Sequence, residues 1–292
     1  MTEPSRCAAP IWRVAGGRVV HPAPFCIVGI VNVTPDSFYD GGCYDTLQSA
    51  VTRSKELLDA GAHILDIGGE STRPYAVPVS SDKEQDRVLP VVREILERSP
   101  QALVSVDTYK ASTAAAALNA GAVIVNDVSG CGYDPELMHV LAAQRPGYVL
   151  MHSQGRPAEM QDAPGYADVV DEVEAFFERR LQWLTRQGLP EEHVVLDPGI
   201  GFGKTVDHNI LLLRHIERFM QLGRPIFMGL SNKSVWRGLL GLEGANREWA
   251  TQVATALLAA RGVVLHRVHD VERTHQSLRL MQAITALGFV HT

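Results

Sequence analysis

Three carboxylates, one amide and three basic side chains occur in this chain where an apolar run stops: Asp66, Asp107 and Asp197, then Asn126, then Lys233, Arg267 and His269. Carboxylates beside an amide supply the acceptors and donors that read a flat heterocycle rich in N–H groups. Lysine, arginine and histidine supply the opposite charge, suited to a phosphate-like substituent. Asn32, after the first apolar run, offers a hard oxygen to a metal ion. Together these types describe a site that grips a nitrogenous ring and an anionic tail. The densest stretch is Asp66-Ile-Gly-Gly-Glu-Ser-Thr-Arg-Pro74, in which two glycines let a ligand approach the backbone and Arg73 adds a planar cation.

Residues so far apart act together only if the fold delivers them to one place. Apolar runs over residues 25–31, 63–67, 103–106, 123–125, 148–151, 194–196, 225–228 and 263–268 read as strands buried on both faces. Each precedes a helical pattern, at about 47–60, 81–98, 110–119, 135–143, 166–187, 207–219, 249–260 and 271–287 in turn. Ser81-Asp-Lys-Glu84 has the form of a capping box opening the second of these helices. Eight such units without a linker, repeat or charge block point to an α/β protein, a single-domain (β/α)8 TIM barrel spanning residues 1–292. Residues 25–287 form the barrel, and a β-hairpin over residues 11–24, turning at Gly16-Gly17, closes its bottom. Residues that follow the strands of such a barrel share one rim. Asn32, Asp66, Asp107, Asn126, His152, Asp197, Lys233, Arg267 and His269 are therefore expected to converge.

A chain of 292 residues, 46% hydrophobic and with net charge −6, buries a large core and presents no general surface for nucleic acid or anionic membrane. Its partners are expected to be small molecules. The cysteines at 7, 26, 43 and 131 have neither metal-ligand spacing nor disulfide density, and Cys43 and Cys131 read as incidental thiols in loops near the rim. No export signal or membrane span is evident, so the expected location is cytoplasmic. Gly199-Ile-Gly-Phe-Gly-Lys204 resembles a phosphate loop only superficially, because the spacing of the P-loop is absent. Asn126 and Asp127 are as suited to bonding local backbone as to bonding a ligand. Ser153 and His152, neighbours on a strand, point to opposite sides and need not form a nucleophile–base pair.

Asn32-Val-Thr-Pro-Asp-Ser-Phe38, Asp66 to Pro74, Ser105-Val-Asp107, Asn126-Asp127, Met151-His152, Asp197-Pro-Gly199, Lys233-Ser234 and Arg267-Val-His-Asp270 together resemble dihydropteroate synthase from about residue 25 onward. The resemblance implies an enzyme that joins 7,8-dihydropterin-6-ylmethyl diphosphate to 4-aminobenzoate in folate synthesis, releasing pyrophosphate. It implies that Asp107, Asn126, Met151, Asp197, Phe202 and Lys233 hold the pterin, and that Thr72, Arg73, Pro74 and Ser234 face the aminobenzoate. By the same resemblance Asn32, Arg267 and His269 receive the diphosphate, with Asn32 contacting Mg2+. Asp107, Asp197, Lys233, Arg267 and His269 would then carry the chemistry, the loops at 32–42 and 68–80 would close over the diphosphate, and the last helices would form a homodimer.

Three positions depart from the family pattern. Tyr75 stands where Gly is usual, Ile200 where Phe is usual, and Asn232 where Arg or His is usual. Tyr75 bears on the second loop because only Gly enters positive φ cheaply; Asn232 removes a positive charge near the cavity. Two other readings share the barrel. A pterin-dependent methyltransferase would need no diphosphate machinery, whereas a catalytically silent pterin-binding paralogue would tolerate Tyr75 and Asn232.

Overall fold

Apolar runs with no polar face must be covered on both sides, and here a ring of helices outside and a plugged interior inside do so. The computed structural model describes residues 11–34 and 43–285. A hairpin of β1 (Trp12–Arg13) and β2 (Val19–Val20) precedes eight parallel strands: β3 (Cys26–Asn32), β4 (Ile64–Gly68), β5 (Leu103–Asp107), β6 (Ile124–Asp127), β7 (Gly147–Met151), β8 (Val194–Asp197), β9 (Phe227–Gly229) and β10 (Leu265–Val268). The helices are α1 (Cys43–Asp59), α2 (Ser81–Arg98), α3 (Ala111–Asn119), α4 (Leu137–Gln144), α5 (Val169–Arg186), α6 (Val206–Arg214), α7 (Ile216–Met220), α8 (Val235–Leu240), α9 (Arg247–Ala260) and α10 (Val271–Thr285). Strands pair in the order β8-β7-β6-β5-β4-β3-β10-β9. A parallel bridge between Leu196 and Ile226, with Leu196 N–H donating to Pro225 O at 3.0 Å, closes β8 onto β9. The expected (β/α)8 barrel is thus present.

The hairpin does close the bottom. Trp12, Val14 and Val20 pack against the lowest inward residues, among them Cys26, Val28, Ile64, Ile124, Val149, Val195, Phe227 and Leu265. The Trp12 indole N–H, buried in this plug, donates to His193 O at 2.7 Å. Gly147 must be glycine here, since a Cβ would lie 2.7 Å from Val14 Cγ1 and 3.0 Å from the Trp12 ring.

Several boundaries differ from expectation. Ser80, not Ser81, caps α2 by accepting from Lys83 N–H, and Glu84 turns inward instead of completing a capping box. The single helix expected over 207–219 breaks at His215 into α6 and α7. A short helix, α8, lies between β9 and α9 where no helix was expected. Cys43 opens α1 instead of lying in a loop, and Cys131 is buried against the Tyr148 hydroxyl, where burial pushes its thiol up to about 12. Residues 35–42 of the loop expected at 32–42, and with them the end of the motif that runs from Asn32 to Phe38, lie outside the described residues, as do Cys7 and the end of the last helix at 286–287.

Candidate active site

Side chains on a strand alternate, so the residues two positions above the apolar floor also point into the barrel. There the character changes to Asp66 on β4, Asn126 on β6, Asp197 on β8 and Arg267 on β10, and Asp107, the last residue of β5, pairs in register with Asn126. Arg267 is the hub. Its Nε donates to Asp66 Oδ2 at 2.6 Å and its Nη2 to Asp107 Oδ2 at 2.6 Å, while Asn126 Nδ2 donates to the same Asp66 oxygen at 2.9 Å. Asp66 is fully buried and its other oxygen, Oδ1, has no partner among the described residues. It holds Arg267 and Asn126 in place from below instead of facing a ligand.

One guanidinium serves two buried carboxylates, so the cluster carries excess negative charge. Burial lifts Asp107 to about 7 against the pull of Arg267, and Asp66 adds to the lift. Asp197 is raised by the same loss of water, opposed by the Gly199 N–H that it accepts at 2.7 Å and by Lys233. Burial pushes Lys233 down to about 8 although Asp197 favours its charge. Its ammonium lies 4.2 Å from the centre of the Phe202 ring. Asp107 at about 7 beside Lys233 at about 8 marks a site able to accept or release protons near neutral pH.

Apolar surface supplies the wall. Val128, Met151, Met160 and Phe202 pack together at the mouth, and Asp107, Asn126, Met151, Asp197, Phe202, Lys233, Arg267 and Thr72 line one cleft. A flat ring edged by donors and acceptors fits between such a wall and such carboxylates. The segment after β7, residues 152–168, braces the rim from outside. Its Gly155 carbonyl accepts from Tyr133 OH at 2.5 Å, its Gln161 amide donates to Gly201 O at 2.7 Å, and its Tyr166 hydroxyl donates to Gly203 O at 2.9 Å. Beneath the β8 loop, Lys204 is buried and donates to Gly199 O, Phe202 O and His152 O at 3.0–3.2 Å. Gly199 passes so close at φ +67° that a Cβ would lie 1.9 Å from His152 O.

His269 stands at the rim above Arg267 and is 2.9 Å from Ser231 Oγ and 3.4 Å from Asn232 Nδ2. Burial, then the surrounding charges of Arg267, Arg73, Lys233 and Arg53, lowers it to about 4, so it is neutral at pH 7. Those cations, all acting on one imidazole, give this part of the mouth a positive field suited to an anion.

Of the residues expected to converge, Asp66, Asp107, Asn126, Asp197, Lys233, Arg267 and His269 do so, and Asn32 is half-buried next to Gly68 and Asp107. His152 does not. It alternates with inward Met151, and meets Phe176 edge to face outside the barrel, ring centres 4.9 Å apart, while its Nδ1 lies 3.0 Å from Lys204. Asp127 likewise faces away from Asn126 and accepts from Ser129 N–H, Cys131 N–H and the Tyr148 hydroxyl. Of the residues expected to face the aminobenzoate, Thr72 lines the cleft, but Arg73, Pro74 and Ser234 are exposed. Tyr75 takes φ +64°, a conformation that suits glycine, with its N–H on Pro157 O at 2.9 Å and its hydroxyl on Asp162 at 3.2 Å. A buried network of Glu70, Glu84, Tyr109 and Lys110 behind the 69–80 loop escaped the sequence reading. The only signal for it was the run of polar residues that continues past Asp107.

Comparison with known proteins agrees with this geometry. The family described as pterin binding enzyme matches residues 28–269. A dihydropteroate synthase of Bacillus subtilis is 40% identical over 94% of this chain and 96% of its own length. Dihydropteroate synthase of Xanthomonas albilineans, solved with 4-aminobenzoic acid, superposes with a TM-score of 0.89 at 39% identity, covering 96% of this chain and 100% of the other. The same enzyme in complex with 7,8-dihydropteroate gives a TM-score of 0.86 at 37% identity, with the same coverage. By family match, identity and fold, the chain belongs to the dihydropteroate synthase family of pterin binding enzymes.

Proposed function

We propose that this chain joins 7,8-dihydropterin-6-ylmethyl diphosphate to 4-aminobenzoate, giving 7,8-dihydropteroate and pyrophosphate. One observation carries the reading: Asp107, Asn126, Asp197 and Lys233 meet an apolar wall in the cleft where Arg267 begins a cluster of cations. The pterin ring lies between Met151 and Phe202, its N–H edge on Asp107 and Asp197, and Asn126 and Lys233 complete its hydrogen bonding. The diphosphate lies toward Arg267 and His269. The methylene C–O bond breaks first, because the electron-rich ring spreads the resulting positive charge and the buried carboxylates favour it. Attack by the arylamine then forms the C–N bond and releases a proton. No covalent protein nucleophile is needed; positioning and charge do the work.

Mg2+ suits this arrangement. It favours one or two protein oxygens and completes its shell with phosphate oxygens and water. Asn32, half-buried beside Gly68 and Asp107, offers such an oxygen at the mouth. Bound there, the ion would neutralise charge on the leaving diphosphate.

Thr72, Arg73, Pro74 and Ser234 face the aminobenzoate in this proposal. Working as a homodimer also accords with the surface. Trp249, Val253 and Leu257 form an exposed apolar stripe on α9, and Leu280 and Ile284 extend it on α10. No described helix is long and apolar enough to cross a membrane, and a cytoplasmic location suits two free, buried cysteines.

Pyrophosphate release by the purified protein from the pterin diphosphate, with and without 4-aminobenzoate and Mg2+, tests the reading. Release that depends on both supports it. Tight pterin binding without turnover would instead indicate a silent paralogue, and methyl transfer from a methylated folate would indicate the other enzyme class. Light scattering that gives twice the 31.9 kDa chain mass would support the homodimer.

A further inference from the structure

The segment between β4 and α2 carries Thr72 into the cleft and Arg73 toward the cations, yet Arg73, Pro74, Tyr75 and Val77 are all exposed. Its position depends on how its two ends are held. Near the start, the Glu70 carboxylate is nearly buried, with 6% of its side chain exposed. Its Oε2 accepts from Val79 N–H at 2.9 Å, which closes the interval from 70 to 79 into a loop. The same carboxylate accepts from the Tyr109 hydroxyl at 2.9 Å and from Lys110 Nζ at 2.7 Å. Tyr109 and Lys110 lie in the segment just after β5, whose last residue, Asp107, is the carboxylate proposed to bind the ring. Lys110 also reaches Glu84 Oε2 at 3.1 Å, and that oxygen accepts from Thr108 and Thr113 as well. The Glu84 carboxylate bonds Lys110, Thr108 and Thr113 and none of the described residues 70–79; packed against Gly69, it steadies the lysine from behind.

We infer that Glu70 is the positioning residue for the second substrate: it ties both ends of the 70–79 loop to the segment after Asp107, and so fixes the distance between Thr72 and the ring pocket. The inference rests on the proposed reaction for its kinetic consequences but not for the tie itself. Two carboxylates share one ammonium in this network, so removing the charge of Glu70 relieves repulsion and leaves the Glu84–Lys110 pair intact.

Glu70→Gln and Glu84→Gln separate positioning from mere stability. A charge-assisted hydrogen bond is worth about tenfold to a hundredfold in an equilibrium. Glu70→Gln is therefore expected to raise the KM for 4-aminobenzoate at least about tenfold while the KM for the pterin diphosphate stays within about twofold. Glu84→Gln is expected to lower Tm but leave the ratio of the two KM values unchanged. Amide hydrogen exchange reads the tie without turnover, and protection at Val79 should fall in Glu70→Gln alone. Unchanged exchange at Val79 in Glu70→Gln overturns the inference, as does an equal shift in both KM values. A wild-type protein without turnover but with Val79 protection lost in Glu70→Gln would refute the reaction and keep the tie.

Discussion

The closed and open ends of the barrel are made by the same strands, two residues apart, and they solve burial in opposite ways. At the closed end Ile64, Ile124, Val195 and Leu265 meet the Trp12 plug; the inward side chains are apolar, and the indole N–H on His193 O and the Ala15 N–H on Val123 O tie the hairpin down. Two positions further along, Asp66, Asn126, Asp197 and Arg267 occupy the corresponding inward places. Dispersion and water exclusion hold the first layer, with losses that scale with the volume removed. A charge network holds the second, in which removing one member strands the others. The lower layer makes the site rigid, and the upper layer gives it chemistry.

Arg267→Ala should show the largest effect. It leaves Asp66 and Asp107 buried without their shared cation, which typically costs about 3–5 kcal/mol, and it removes charge from the positive field at the mouth. Urea unfolding should register the loss of stability, and turnover should fall to background even in the fraction that folds. Trp12→Ala tests the other end. Deleting a fully buried tryptophan costs about 3–5 kcal/mol, but the indole lies far below the reacting groups, so kcat per folded molecule should stay within about twofold, well under 1 kcal/mol. A fall in kcat as large as that of Arg267→Ala would break the distinction between the two ends. Gly147→Ala is a gentler version: the added methyl overlaps Val14 and the Trp12 ring and should cost about 1–3 kcal/mol, again without a change in kcat.

Acidity distinguishes the two layers as well, since only the upper one titrates near neutrality. Asp107 titrates at about 7 in the folded chain against about 3.9 for a free aspartate. The folded form therefore holds a proton that the unfolded form releases. The stability this group contributes is complete below about pH 4 and is lost as pH rises through about 7. In the proposed reaction ring binding runs the other way, because the carboxylate assigned to accept from the ring forms over the same interval. Lys233, at about 8, loses its charge just above it. The profile of kcat/KM should accordingly be a narrow bell, rising toward 7 and falling above 8, about tenfold per unit on each side. A flat profile from pH 6 to 9 would remove these two groups from the binding step.

Strand ends were legible in the sequence because a buried parallel strand is an uninterrupted apolar run, and its first polar residue marks the rim. Asp107, Asn126 and Asp197 were found in that way, at the ends of the runs 103–106, 123–125 and 194–196, whereas Arg267 lies within its run, 263–268. What a run of letters does not give is the face. Asn126 and Asp127 looked alike, and only the start of β6 decides that one reads the cleft and the other ties down Ser129 and Cys131. His152 was lost to the same one-residue alternation. Glu84 shows a second limit: a local motif offered it a partner three residues away, while the fold offered Lys110, Thr108 and Thr113. Helix α8 is too short, at Val235–Leu240, to show a helical period in the sequence.

The smallest expected effect belongs to Arg73, and its size is informative. The deep half of the mouth is built on strands, whereas Arg73 is an exposed side chain on the loop that Glu70 ties down. An exposed ion pair contributes at most about 1 kcal/mol, so Arg73→Ala should raise the KM for 4-aminobenzoate no more than about fivefold if the guanidinium meets the carboxylate in water. A charge-assisted hydrogen bond sheltered from water is worth about 1.5–3 kcal/mol, which would appear as a rise of tenfold or more. Steady-state kinetics at saturating pterin diphosphate distinguish the two. The smaller value would mean that the loop stays open as the amine arrives and that Thr72 alone orders it. The larger would mean that the 70–79 loop closes on the substrate, carrying Arg73 into the same dry environment that raises Asp107 and lowers Lys233.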